Sequence, residues 1–249
     1  MTEAISGGES VSVVITTAIA LAAGAISGWV AAAFKRRERR EERIRVEVLR
    51  WTNPILGAID SLQARLGNIL DDCLYRALDP ETRETRPVDD DWAIGFEYAM
   101  ESTLFLFAEY FAWIRLLQER LSFELFESQE ARDRFFAAVW EVSEALSLWP
   151  DPNIDAEGAD VQVFVLQQRA IGELVIRREA DAPRVVGYAE FLALRDTDPR
   201  FGRVLAPLSS LLEGVEPDTK RWQRLARTRE ALAGLRVRCD QLLAPPRAA

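Results

Sequence analysis

YAMESTLFLFAEYFAWIRLLQERL, residues 98–121, is the stretch on which the fold turns. At 100° per residue its charged side chains, Glu101, Glu109, Arg115, Glu119 and Arg120, fall within an arc of about 140°, and the rest of the circumference is almost wholly apolar. A helix of that kind has to be surrounded on most sides. Three charges between Glu101 and Arg115 argue against a membrane span, so the segment is expected to be the central helix of a bundle. Its aromatics, Phe105, Phe107, Tyr110, Phe111 and Trp113, are expected as packed core, with an apolar ligand pocket as the alternative use.

Toward the N-terminus, Ile44, Val48, Trp51, Ile55, Ile59, Leu62, Leu66, Ile69 and Cys73 recur in steps of three and four, which is a bundle or coiled-coil seam. Pro54 removes one backbone donor, so the seam is expected to kink or restart there, and Pro54 with Gly57 forms the candidate hinge. Toward the C-terminus, pattern and punctuation predict helices over 128–149, 159–179, from Asp198-Pro199 to near Gly214, and over 217–243. A short piece from Val185 to Arg195 fits helix or strand. The fold class expected is all-α, a bundle of about six to seven helices over residues 54–249.

Ahead of the seam, VSVVITTAIALAAGAISGWVAAAF, residues 11–34, carries no charge and extends about 36 Å at 1.5 Å per residue, against a hydrocarbon thickness of about 30 Å. The stretch is expected to be a single transmembrane helix, preceded by a short extracytoplasmic tail over 1–10. KRRERREER follows at once, and Lys35, Arg36, Arg37, Arg39 and Arg40 open a basic helical stalk over 35–53. Positive charge is retained in the cytoplasm, which places the N-terminus outside, the main domain inside and these cations at the membrane surface. Ala20, Gly24, Gly28 and Ala32 recur every four residues and leave a shallow stripe on which a second copy could pair as a homodimer.

The net charge of -9 is divided unevenly: -2 over residues 1–34, +4 over 35–50, and -11 over the remainder. An acidic bulk of that size excludes a general nucleic-acid surface, which needs clustered cations. Histidine is absent, so His-based triads, common zinc sites and Glu-x-x-His di-iron chemistry all lack a required group. Neither GxxxxGK[ST] nor GxGxxG occurs. Asp89, Asp90 and Asp91 suit a helix start better than a metal. DPNIDAEGAD (151–160) fails as a calcium loop, with Ala156 where the turn needs Gly. No cofactor and no metal are expected. Cys73 and Cys239 are expected as two core thiols in a reducing compartment.

WTNPIL (51–56), YAMESTLFLFAEYFAWI (98–114) and QRAIGELVI (168–176) resemble a group of uncharacterised, membrane-tethered helical proteins of bacteria. That resemblance implies architecture and carries no activity. The expected function is a non-enzymatic, membrane-tethered interaction or scaffold protein that docks an unknown cytoplasmic protein. The alternatives are a sensor holding an apolar ligand or lipid within the bundle and, with least support, a carboxylate-dependent enzyme.

Overall fold

The computed structural model describes residues 7–72, 74–81, 95–120, 126, 128–147, 162–179 and 182–243; within the first helix, side chains are described from Trp29 onward with a few exceptions. Among these residues the chain forms seven α-helices, one 3-10 helix and one small hairpin. The helices are α1 (Gly7–Leu70), α2 (Phe96–Arg120), α3 (Gln129–Ser147), α4 (Val165–Leu174), α5 (Tyr188–Thr197), α6 (Arg200–Leu212) and α7 (Lys220–Leu243), with the 3-10 helix at Leu74–Leu78. The protein is therefore all-α and a helical bundle.

The chain divides into two units, one up to Glu47 and one from Val48. In the first, Trp29, Phe34 and the cations Lys35, Arg36, Arg37, Arg39 and Arg40 are all exposed on helical backbone. Among the described residues no helix is long and apolar enough to cross a membrane. The stretch 11–34 lies in the backbone of α1, but its side chains before Trp29, those of Ala20 and Gly24 among them, are outside the described residues, as is Gly28; Ala32 is exposed.

The second unit contains the core. Trp51, Ile55, Ile59, Leu62, Leu66 and Ile69 are each at most 5% exposed, so the three-four spacing of α1 does form a buried seam. The seam does not restart at Pro54, which sits inside α1. The ring's lost donor is tolerated there because helix runs on both sides of it and Ile55 and Ala58 are buried just beyond. α7 lies alongside this half of α1: Arg236 pairs with Asp60 at 2.6 Å, and Arg229 with Asp71 at 2.5 Å. α2 is buried along most of its length, and Phe107, Ala108, Ala112 and Leu116 are fully enclosed.

Local chemistry sets the helix starts. The Ser128 hydroxyl accepts the Ala131 N–H at 3.1 Å ahead of α3, and the Thr219 hydroxyl accepts the Trp222 N–H at 3.2 Å ahead of α7. Asp198 accepts the Arg200 N–H at 3.0 Å at the head of α6, whose far end is followed by Gly214 at φ 61°, the left-handed conformation that glycine adopts without strain.

One expected helix is cut short. Among the described residues of the segment 159–179, helix runs from Val165 to Leu174, and Ile176–Arg178 is strand, paired antiparallel with Pro183–Val185. Val175, Ile176 and Val186 are buried, and the β-branched pair Ile176–Val185 closes a hairpin that a continued helix would have left unpaired. Val185–Arg195 resolves into both of its alternatives, with Val185 ending the second strand and α5 beginning at Tyr188. Cys239 is buried as a free thiol; Cys73, Asp89 to Asp91, the 151–160 segment and the side chains of Ile44 and Val48 lie outside the described residues.

Candidate functional site

Among the described residues, the approach of α4 to α2 creates a groove that resembles a binding site. Gly172 carries no side chain where α4 meets α2, and a Cβ there would stand 2.7 Å from the Phe111 carbonyl carbon, 2.9 Å from its oxygen and 2.9 Å from the Ala112 nitrogen. The two backbones touch at that point. One and two turns earlier along α4, α3 joins them and a groove of about 210 Å³ opens to solvent.

Each wall is a helical row. Tyr110, Ile114 and Gln118 on α2 are spaced four apart, with Phe111 and Arg115 beside them; Phe136, Val139, Trp140 and Ser143 lie on one face of α3; Val165, Gln168 and Arg169 come from α4. The floor is aromatic and aliphatic. Tyr110 is 2% exposed and Phe111 5%, while Trp140 stands 51% exposed at the lip. Its ring is held, because its indole N–H donates to Glu144 Oε1 at 2.6 Å.

Polar side chains fix one end. Gln168, nearly fully buried, donates from Nε2 to the Ser143 carbonyl at 3.0 Å and the Val163 carbonyl at 2.8 Å. The Val163 N–H donates to the Leu146 carbonyl at 3.0 Å, and Arg224 Nη1 to the Ala145 carbonyl at 3.0 Å. Three carbonyls near the end of α3 thus have donors from outside that helix, and the Arg224 guanidinium suits the negative end of its dipole. Burial pushes the Arg224 pKa down to about 10, with Arg227 adding to the effect.

At the rim, Arg115 lies 3.2 Å from Glu119 and 3.4 Å from Glu173, and Glu119 also receives Arg178 at 3.0 Å. Arg169 is exposed and makes no ion pair among the described residues. The lining contains no carboxylate, thiol or imidazole, so it offers no acid–base pair; what it can do is hold an apolar group beside a guanidinium. Among the described residues no cluster of His, Cys, Asp and Glu could hold a metal ion.

Of the five aromatics read from α2, only Tyr110 and Phe111 line the groove. Phe105 packs instead on Tyr188 and Phe191 of α5, at ring distances of 5.4 and 5.5 Å, Phe107 is fully buried with Phe111 as ring neighbour, and Trp113 is half-buried against the core. Two carboxyl and hydroxyl groups of this helix feel the interior: burial raises the Glu109 pKa, and burial followed by Cys239 raises that of Tyr110. Pro54 is half-buried and Gly57 exposed in α1, far along the chain from the groove.

Trp140, Gln168, Arg169 and Gly172 do not stand out in the sequence. The available signals were an aromatic on the rim of the apolar face of α3 and a lone glycine inside the apolar pattern of α4. No protein-family model matches the chain, and no curated protein or solved structure matches it either.

Proposed function

We propose that the protein is a membrane-tethered interaction module: α1 anchors it through residues 11–34, and the bundle from Val48 docks a cytoplasmic protein. The observation that carries the tether is the uncharged stretch 11–34 followed directly by Lys35, Arg36, Arg37, Arg39 and Arg40, all exposed on helical backbone. Trp29 and Phe34, 69% and 63% exposed at the end of that stretch, suit the inner interfacial zone, where amphipathic rings settle. The spacing of Ala20, Gly24, Gly28 and Ala32 supports pairing of two such helices. For the docking role, the support is the groove between α2, α3 and α4, whose lining is largely aromatic and aliphatic with two guanidinium groups.

Fractionation of cells expressing the full chain tests the tether. The protein is expected in the membrane pellet, resistant to alkaline carbonate and released by detergent, with protease added from the cytoplasmic side digesting the bundle. Recovery in the supernatant after ultracentrifugation without detergent would overturn the anchor. Pairing is read separately, by the loss of self-association in a membrane reporter on Gly24→Ile with Gly28→Ile.

A further inference from the structure

We infer that the groove between α2, α3 and α4 takes an acidic amphipathic helix of a partner protein, seating one apolar side chain against Tyr110, Phe111 and Trp140 and a carboxylate on Arg169. The inference deepens the docking half of the proposed function and does not need the membrane half.

Size comes first. The groove, at about 210 Å³, exceeds the roughly 150 Å³ that houses a benzene ring, yet falls short of the roughly 300 Å³ at which small-molecule sites begin. It is also open to solvent. A single anchoring ring or branched aliphatic group fits, and a whole lipid or cofactor does not. The surface around it continues the apolar character, with Phe164 50% and Leu166 74% exposed at the start of α4. An occupant with one anchor and further apolar contacts along a helical-row surface is an amphipathic helix. The fixed Trp140 ring gives such an anchor a prearranged partner.

Charge then selects the class. The chain as a whole is at -9, yet the lining holds two arginines and no acid. Arg115 lies at ion-pair distance from Glu119 and Glu173, and Glu144 is engaged with the Trp140 indole. Arg169, exposed in the lining and in no ion pair among the described residues, is left. A carboxylate about one turn from the anchor meets it, whereas a lysine there meets a like charge.

The test uses the full chain in zwitterionic phospholipid nanodiscs and a displayed library of 14-residue helical peptides, followed by fluorescence anisotropy on synthetic versions of the enriched sequences. Enrichment of peptides with an aromatic or leucine anchor and Asp or Glu a turn away is expected. Their affinity should weaken about tenfold or more on Trp140→Ala and on Arg169→Glu, while a peptide with Lys in place of Glu should prefer Arg169→Glu to the parent. Both substituted side chains are exposed, and the charge-swapped pair restores binding only if the contact is direct. Four results would overturn the inference: no enrichment, enrichment of neutral or basic peptides, binding indifferent to both substitutions, or sedimentation showing a second copy of the chain held at this face and released by Trp140→Ala. Each leaves the fractionation result untouched, so failure of the groove and failure of the tether are told apart.

Discussion

Gly172→Ala puts the helix crossing to a direct test. The added methyl group lands 2.7 Å from the Phe111 carbonyl carbon and 2.9 Å from two further backbone atoms, distances that real Cβ atoms do not adopt. Because those neighbours are backbone, no rotamer change relieves the contact, and α4 has to move away from α2. Overfilling a packed core in this manner costs about 1–3 kcal/mol, and the rigidity of the opposing atoms argues for the upper end. Replacing glycine by alanine in a helix interior acts the other way, by about 1 kcal/mol. The net expectation is a loss of about 2 kcal/mol, or a fall in Tm of about 4–8 °C for a bundle of this size. Thermal unfolding of the full chain in detergent, followed by circular dichroism at 222 nm, measures it. Gly234→Ala in α7 is the control, since nothing lies within 4 Å of the Cβ it would gain; it should raise stability by about 0.5–1 kcal/mol. If Gly172→Ala were as stable as the parent, the close crossing of α2 and α4 would be wrong, and with it the shape of the groove.

Gln168→Leu should cost about 1–2 kcal/mol in urea unfolding, because the buried Val163 carbonyl loses its side-chain donor, while the Ser143 carbonyl keeps the Ser147 hydroxyl at 2.8 Å. Glu109→Gln should stabilise the bundle at neutral pH. Burial raises the Glu109 pKa above its ordinary 4.5, so the ionised form is penalised in the folded state; the gain from Gln is full at neutral pH and disappears as pH falls below that ordinary value. Asp198 has the opposite sign: the Arg200 guanidinium, then its backbone N–H, hold the carboxyl at about 2 instead of 3.8, so its contribution is complete above 3.8 and is lost as pH falls toward 2, a contrast that Asp198→Asn should abolish in acid titrations. Cys239, pushed up to about 12 chiefly by burial, should resist a thiol-labelling reagent at pH 8 in the folded protein and react once urea unfolds it.

The parts of the fold that were legible are those where one face of a long helix decides everything. Trp51 to Ile69 and the nearly all-apolar α2 announce burial through spacing repeated over several turns, and the structure buries them accordingly. The hairpin was not legible because three-residue strands are too short to display a period of two, and IRR reads equally well as the last turn of a helix. Of the two readings of Pro54, a kink or a restart, the structure removes the restart, since the ring's local cost is set against packing on both sides of it, which the sequence does not display. The groove was illegible for a different reason. Its three walls are ordinary amphipathic rows, and what makes them a site is a gap in tertiary packing where Gly172 draws two of them together and α3 keeps its distance.

The donor that Arg224 supplies to Ala145 joins positions 79 residues apart, and the Arg236–Asp60 pair spans 176. On the ribosome, then, the closing end of α3 and the seam of α1 wait for α7 to emerge before either is finished. Contacts of such separation slow folding and leave apolar surface uncovered in the interval. A nascent chain stalled before Lys220 should therefore be a strong client for chaperones, and release of α7 from the exit tunnel should be the moment at which it lets go.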